Sequence, residues 1–265
     1  MDGSFADVNG AHLRYEVQGE GRPLVLIHSA LGHLGMWDEQ VEAFSQRWRF
    51  IRYDVRGFGE STGPEGSYTD YEDLAALLDF LGVEQADLLG CSSGGGIAIV
   101  FTLAFPGRVG SLVLVGPALS GTHPEPDELI DPLRAAMLAA YQRRDLEQAA
   151  ELTARIWVVG PRRSASEVDP GYRARALELI RYTLALPDRS EPRELEPPAA
   201  GRLGEIRAPT LVMVGDEDTD WMQKVTGKIA REIPGAKRVV LPGAAHLPSM
   251  EHPAEFNRIV MEFLG

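Results

Sequence analysis

The sequence predicts an α/β protein: a mostly parallel, doubly wound sheet with a helical cap inserted between core strands. Short apolar runs alternate with helical stripes up to about residue 115, and this alternation resumes after residue 208. Between the two stretches the residue pattern is mainly helical. In addition, a glycine-rich turn at 90–96 joins an apolar strand end directly to an apolar helix.

The predicted sheet consists of short runs that are either continuously apolar or alternate between apolar and polar residues. Continuous apolar runs are typical of the inner strands of a parallel sheet that helices cover on both faces. The strands are predicted at 11–17, 23–28, 50–54, 87–89, 111–115, 209–214 and 238–241, and the covering helices at 36–46, 71–81, 97–105, 221–232 and 253–264.

The middle of the chain is predicted to form the helical cap. Helical stretches at 127–142, 146–158 and 172–186 are separated by joints rich in proline, glycine, serine or charge, and a short strand at 156–159 is the alternative within the second stretch. We therefore expect a core of residues 1–118 and 208–265 and a cap of residues 119–207.

Composition excludes several classes of function. An apolar content of 44% and a charged content of 25% are typical of a soluble globular protein. The net charge of −13 argues against binding nucleic acid or an anionic membrane, since both require positive potential. The chain shows neither a signal peptide nor a membrane-spanning run, so we expect a cytoplasmic protein.

Cysteine and histidine usage gives no sign of a metal site. The single cysteine, Cys91, excludes an intrachain disulfide framework and any site with several cysteine ligands. The six histidines do not show the spacings of common metal-binding motifs, and no phosphate-binding or dinucleotide-binding glycine motif is present. We therefore expect neither a metal nor an organic cofactor.

Ser92 is the candidate nucleophile. It stands at the centre of the G-x-S-x-G pattern formed by residues 90–94, between a strand and a helix, which is where a cramped turn exposes a serine hydroxyl. A plain glycine-serine loop is the alternative. Cys91 lies one position from the centre of the pattern, so we expect it to be a small buried apolar residue.

An acid and a histidine follow Ser92 in the order that such a serine requires. Asp216, Asp218 and Asp220 cluster after one predicted strand, and His246 follows the last predicted strand. Because open α/β sheets place their sites at the carboxyl ends of the strands, we expect these groups to meet.

Five sequence segments together resemble the α/β-hydrolase fold family. They are H-x-x-x-G at 28–32, D-x-R-G-x-G-x-S at 54–61, the serine turn at 90–94, G-x-x-D at 215–218 and A-H-x-x-x-x-E-x-P at 245–253. Residues 28–41 and 244–247 are in addition similar to the enol-lactonases of aromatic catabolism. Esterases, C–C bond hydrolases and cofactor-free perhydrolases share most of these segments.

The resemblance implies a role for each matching residue. Ser92 would attack a carbonyl, His246 would carry the proton, and Asp218 would orient the imidazole. The backbone N–H groups of Ala30 and Ser93 would bind the oxyanion. Asp218 is favoured over its two neighbours because it stands three residues after Gly215, as in the family pattern.

Two features near these segments bear on the site. Ser29 stands where many family members have glycine, which leaves the geometry of the Ala30 donor open. His28 is expected to support this loop through hydrogen bonds, whereas His33 either approaches the site or is an exposed loop residue.

The substrate pocket is predicted from apolar and aromatic side chains. The candidates are Trp37, Met137, Tyr141 and Trp157, although helical apolar stripes also serve plain packing. Arg155 is either a partner for a substrate carboxylate or a surface charge.

The favoured hypothesis is a serine hydrolase of a small ester or lactone. A C–C bond hydrolase and a cofactor-free perhydrolase are the alternatives among enzymes, and a non-catalytic ligand-sensing receptor is the alternative from another class. The sequence leaves the substrate and the oligomeric state open.

Overall fold

Eight strands form one sheet in the computed structural model, which describes residues 3–187 and 190–265. The strands are β1 (Ser4–Val8), β2 (Ala11–Gln18), β3 (Pro23–Ile27), β4 (Arg49–Tyr53), β5 (Ala86–Cys91), β6 (Val109–Val115), β7 (Thr210–Gly215) and β8 (Lys237–Leu241). Their order across the sheet is β1-β2-β4-β3-β5-β6-β7-β8. The β1–β2 and β2–β4 pairs are antiparallel, and the other pairs are parallel.

Helices connect the parallel strands, and two more follow the last strand. They are α1 (Asp38–Ser45), α2 (Asp70–Phe80), α3 (Ser93–Ala104), α4 (Ile130–Gln142), α5 (Leu146–Ala154), α6 (Pro170–Ala185), α7 (Asp220–Glu232), α8 (Pro248–Glu251) and α9 (Pro253–Leu264). Short 3₁₀ turns lie at 34–37, 106–108, 165–167, 199–201 and 203–205. Within the described ranges, no helix has the length and apolarity needed to cross a membrane.

The sheet is covered on both faces because successive strand residues point to opposite sides. Leu26 of β3 belongs to an apolar cluster that includes residues of α1 and α9. Its neighbour Ile27 belongs to a second cluster, which includes residues of α2, α3 and α7. Two packed layers of helices around a mostly parallel sheet confirm the predicted fold class.

The chain between β6 and β7, residues 116–209, is named here the helical insertion. It contains α4, α5 and α6. The alternative of a strand at 156–159 is wrong, because α5 continues directly into a π-helical turn at Arg155–Val159 that ends at Gly160. The division into a core of 1–118 and 208–265 and a separate cap of 119–207 stays a prediction.

Two elements differ from the sequence prediction at the N-terminal side. Strand β1 was not predicted; it is a short edge strand, and three of its five residues are exposed, with one buried alanine between them. The helix predicted at 36–46 begins as a 3₁₀ turn at Leu34–Trp37 and becomes α-helical at Asp38.

Candidate active site

Ser92 occupies a strained turn between β5 and α3. Its backbone has φ of 54° and ψ of −117°, a conformation that residues other than glycine rarely adopt. The strain is held in place by hydrogen bonds: the Ser92 N–H donates to the Val115 carbonyl, and the Ser92 carbonyl accepts from Gly96 and Ala118. Backbone strain of this kind is concentrated at functional sites.

The glycine two residues after Ser92 allows the turn to pack against the neighbouring strand. A Cβ atom at Gly94 would lie 2.3 Å from the carbonyl oxygen of Ile27 and 2.5 Å from that of His28. Only glycine fits at such a distance. The close approach brings the start of α3 against the loop that follows β3.

His246 and Asp218 form a buried hydrogen-bonded pair. The Nδ1 atom of His246 lies 2.7 Å from Oδ2 of Asp218, and the two residues are 3% and 1% exposed. The second carboxylate oxygen of Asp218 accepts the N–H of Thr219 at 2.7 Å. Since an ionised carboxylate only accepts hydrogen bonds, Nδ1 carries the hydrogen of this bond, and in the neutral imidazole this leaves the lone pair on Nε2.

The neighbouring acids do not contact His246. Asp216 accepts the N–H of Gly243 at 2.6 Å, which ties the acid loop to the loop that carries His246. Asp220 begins α7 and forms an exposed ion pair with Arg162. Of the three candidate acids, Asp218 is therefore the one that lies in hydrogen-bonding contact with His246.

Ser92 and His246 belong to one cluster of residues at the carboxyl edge of the sheet. A Cβ atom at Gly116, which follows β6, would lie 3.0 Å from Cε1 of His246. Cys91 brings its Sγ to 3.9 Å from the His246 carbonyl oxygen. Ser92 itself is half-buried, and its hydroxyl makes no hydrogen bond with any residue of 3–187 or 190–265.

Cys91 behaves as a buried apolar residue. Its side chain is fully buried, and burial raises the pKa of the thiol well above its ordinary value. The negative charge of Asp218 raises the pKa further. A thiol of this kind is a poor nucleophile because the thiolate is the reactive form.

The loop after β3 is held by His28. Its Nδ1 lies 2.8 Å from the carbonyl oxygen of Ser29, and its Nε2 accepts the N–H of Val55 at 2.9 Å. Because Nε2 accepts, Nδ1 is the protonated nitrogen that donates to Ser29.

Ser29 fits the position where glycine is common in similar proteins. Its backbone is not in the left-handed region, and its hydroxyl accepts the N–H of Leu31 at 3.2 Å. The Ser29 N–H points to the sulfur of Met36 at 3.2 Å. The serine side chain therefore braces the turn that presents Ala30.

The two predicted oxyanion donors have no acceptor within the described part of the chain. Ala30 is exposed, and Ser93 is half-buried at the first position of α3, where an N–H has no partner inside the helix. Neither N–H donates to a described protein atom. Both are available to an incoming oxygen atom.

The four predicted pocket residues differ in their burial and in their surroundings. Trp37 is fully buried in the core, 6.5 Å from the ring of Phe256, and this removes it from the predicted pocket. Trp37 is the last residue of the 3₁₀ turn at 34–37, and the Phe256 ring beside it belongs to α9. Met137 and Tyr141 are half-buried on α4, and their role in binding stays a prediction.

Trp157 lies directly against His246. The ring centroids are 4.6 Å apart with an interplanar angle of 44°. The backbone N–H of His246 donates to the backbone carbonyl of Trp157 at 3.1 Å. Trp157 belongs to the π-helical turn at Arg155–Val159, a type of turn that is frequent at functional sites. Arg155 does not face the site, since its guanidinium donates to the carbonyls of Gly160 and Pro161.

Two arginines that follow the π-helical turn were not recognised from the sequence. Arg162 donates to the backbone carbonyls of Asp216 and Asp218 at 3.2 and 2.8 Å. Arg163 donates to the Gly243 carbonyl at 2.6 Å and forms an ion pair with Glu251 at 2.9 Å. The two arginines therefore link the helical insertion to the loop that carries Asp218 and to the loop that carries His246.

Glu251 completes this connection. Its second oxygen accepts the N–H of Ala245, the residue before His246, at 2.8 Å. Burial raises the pKa of the Glu251 carboxyl above its ordinary value, although Arg163 and the Ala245 N–H oppose the shift.

A cavity of about 760 Å³ opens beside the start of α3. Apolar side chains of α3 and of the loop after β6 form part of its wall, and polar side chains form the rest. The lining includes Ser93, Ile97, Val100, Leu119, His123, Arg193 and Leu195. Its volume is in the range of small-molecule sites.

Outside this site, the described residues do not suggest a metal centre. Among positions 3–187 and 190–265, no group of three or more His, Cys, Asp or Glu side chains is arranged to hold a metal ion.

Comparison with known proteins identifies the family. The model of the α/β-hydrolase fold matches residues 22–253 of the chain. The chain belongs to the α/β-hydrolase fold family. As a family member with hydrolase relatives along nearly its whole length, it is a hydrolase.

Similar proteins cover almost the full chain. A 2-hydroxy-6-oxononadienedioate/2-hydroxy-6-oxononatrienedioate hydrolase of Burkholderia vietnamiensis is 32% identical, over 97% of this chain and 92% of its own. A hydrolase structure from Pseudomonas aeruginosa is 31% identical with a TM-score of 0.79, covering 100% of this chain and 98% of the other. The enol-lactonase of Burkholderia xenovorans is 25% identical with a TM-score of 0.79, covering 98% and 99%.

Proposed function

We propose that this hydrolase cleaves a small carboxylic ester or lactone through an acyl-enzyme, with Ser92, His246 and Asp218 as its catalytic residues. The observation that carries the proposal is the buried His246–Asp218 hydrogen bond of 2.7 Å beside the strained Ser92 turn. A serine on such a turn with a carboxylate-oriented histidine is the arrangement of nucleophilic acyl transfer.

The proton path follows from the imidazole tautomer. Nδ1 of His246 donates to Asp218, so Nε2 is free to take the proton of the Ser92 hydroxyl as that oxygen attacks the carbonyl. His246 then gives this proton to the leaving alkoxide, and the acyl group remains on Ser92. A water molecule, deprotonated by the same nitrogen, hydrolyses the acyl-enzyme and restores Ser92.

The negative charge of the tetrahedral intermediates requires donors. The N–H groups of Ala30 and Ser93 support the proposal because neither donates to a described protein atom. The Ser93 N–H also lies at the positive end of the α3 dipole. Removal of one such donor typically reduces the rate by about 10²- to 10³-fold.

Two adjacent serines provide a matched test. Ser92→Ala is expected to reduce kcat for p-nitrophenyl butyrate by about 10⁴-fold or more. Ser93→Ala keeps the backbone N–H and is expected to stay within a few-fold of the wild type. Circular dichroism and thermal unfolding verify that both variants are folded. Undiminished turnover by folded Ser92→Ala would refute the proposal.

A C–C bond hydrolase acting on a vinylogous diketone is the second candidate. The similarity to a 2-hydroxy-6-oxononadienedioate hydrolase, at 32% identity, favours it. Such substrates are coloured, so loss of their absorbance measures cleavage directly. Faster Ser92-dependent cleavage of a diketone than of any ester or lactone tested would select this candidate over the first.

A further inference from the structure

The loop that carries His246, residues 242–247, is bonded to the helical insertion as well as to the core; it is named here the histidine loop. The His246 backbone N–H donates to the Trp157 carbonyl at 3.1 Å. Trp157 belongs to the π-helical turn that ends at Gly160. Because the last carbonyls of a helix have no partner inside it, this turn presents acceptors to the histidine loop.

Arg163 makes a second connection between the insertion and the histidine loop. Its Nε donates to the Val159 carbonyl at 2.8 Å, which ties the side chain to the π-helical turn. Its Nη1 donates to the Gly243 carbonyl at 2.6 Å, and its Nη2 lies 2.9 Å from Oε1 of Glu251. One planar guanidinium therefore binds the insertion, the histidine loop and the last residue of α8 at the same time.

Glu251 extends this connection to the residue before His246. Its Oε1 pairs with Arg163, and its Oε2 accepts the N–H of Ala245 at 2.8 Å. The next N–H along the chain, that of His246, donates to the Trp157 carbonyl. Because each peptide group is planar, fixing two in succession limits the backbone rotations that would move the imidazole.

The pair of Arg163 and Glu251 is shielded from water. The side chain of Arg163 is 10% exposed, and that of Glu251 is 4% exposed. Loss of one partner of a buried pair leaves the other charge without compensation, so the contact is costly to break. Arg181 of the same insertion differs, because it forms an exposed ion pair with Glu147 of α5 and so binds the insertion only to itself.

We infer that Arg163 is a positioning residue that keeps the His246 imidazole in place for proton transfer at Ser92. It acts through Glu251 and through the Gly243 carbonyl. Within the described part of the chain, its guanidinium bonds to neither Ser92 nor the His246 side chain, so its effect on the reaction passes through the histidine loop. This inference rests on the proposed function, because it concerns the histidine of that reaction.

The test compares Arg163→Met with the control Arg181→Met. Methionine keeps an unbranched apolar stem and removes the guanidinium. Values of kcat and KM are measured with p-nitrophenyl butyrate. We expect Arg163→Met to lower kcat by about ten-fold or more, because a misplacement of about 1 Å can cost about 10²-fold in rate. KM should stay within a few-fold, since the lost contact acts on proton transfer, and Arg181→Met should keep the wild-type kcat.

Two further variants test the route through Glu251. Arg163→Lys keeps the charge but lacks the planar fork that reaches two carbonyls and a carboxylate, so it should recover part of kcat. Glu251→Gln has one acceptor oxygen and cannot serve both Arg163 and Ala245, so it should also lower kcat. In the double variant of Arg163→Met and Glu251→Gln, the loss should be smaller than the product of the two single losses. Losses that multiply in full would overturn the route through Glu251.

Labelling by a fluorophosphonate separates slow chemistry from a loss of folded protein. The final number of adducts counts the molecules with an intact site, and the labelling rate reports how readily His246 activates Ser92. We expect Arg163→Met to reach one adduct per chain, at a rate lowered about as much as kcat. A wild-type rate on a smaller fraction of the molecules would overturn the inference, because only folded protein would then be lost.

The two proposals fail in different ways. If ester hydrolysis depends on Ser92 but folded Arg163→Met keeps the wild-type kcat, or if Arg181→Met loses as much, the positioning inference is wrong and the proposed function stands. If Ser92→Ala retains turnover of every substrate, the proposed function itself is wrong.

Discussion

Substitution of Gly116 by alanine adds one methyl group at the back of the His246 ring. Gly116 follows β6 with φ of +46°, and a Cβ atom there would lie 3.0 Å from Cε1 and 3.1 Å from Nδ1 of His246. The same atom would lie 3.4 Å from Oδ2 of Asp218. The methyl group therefore meets both members of the buried pair.

The magnitude follows from these distances. Ordinary separations between carbon atoms are about 3.5–4.0 Å, so the imidazole has to move by about half an ångström. A misplacement of about 1 Å can cost about 10²-fold in rate, and we therefore expect kcat/KM to fall by about ten-fold or more. The positive φ adds a backbone cost of about 1 kcal/mol to the free energy of folding.

Gly82→Ala separates the backbone cost from the contact with His246. Gly82 lies two residues after the end of α2 with φ of +66°, and a Cβ atom there would meet nothing within 4 Å. Both variants are assayed with p-nitrophenyl butyrate and unfolded in urea. Both variants should lose free energy of unfolding through the positive φ, and Gly116→Ala should lose more because its methyl group also contacts the buried pair. Only Gly116→Ala should lose activity. Wild-type kcat/KM in folded Gly116→Ala would refute the assigned role of His246 geometry.

Two further predictions concern buried ionisable groups. Because burial raises the pKa of its thiol, Cys91 should resist iodoacetamide near neutral pH in the native protein. In concentrated guanidinium chloride it should take up one adduct. Rapid alkylation of the native protein would contradict the burial of Cys91. Burial also raises the pKa of Glu251, so its contribution to stability is present below the unfolded-state pKa of about 4.3 and is lost as pH rises through the folded value. The unfolding free energy of the wild type minus that of Glu251→Gln should therefore fall between about pH 4 and about pH 7. Urea unfolding of both proteins measures this difference, and an increase with pH would contradict the prediction.

The fold and the Ser92 turn could be predicted because their signals are local. Apolar runs, helical stripes and the glycines around Ser92 each report on a few neighbouring residues. Asp218 and His246 could be predicted to meet because both follow strands of a parallel sheet, and the carboxyl ends of such strands share one edge.

The remaining features depend on contacts that the local pattern does not encode. Trp37 lies on an apolar helical stripe, and periodicity does not distinguish a stripe that packs in the core from one that lines a pocket. Arg162 contacts carbonyls 54 and 56 positions away, and Arg163 contacts one 80 positions away. Arg155 donates to the carbonyls of Gly160 and Pro161, which follow the π-helical turn at Arg155–Val159. The apolar residues of this turn fit a strand equally well, so the sequence did not predict these contacts.

The most direct test identifies the residue to which an active-site reagent binds covalently. The protein is inactivated with a fluorophosphonate, digested, and analysed by peptide mass spectrometry. We expect one adduct per chain on Ser92, formed in step with the loss of esterase activity and not formed when Asp218 is replaced by Asn at the same reagent exposure. An adduct on another residue, or loss of activity without modification of Ser92, would contradict it.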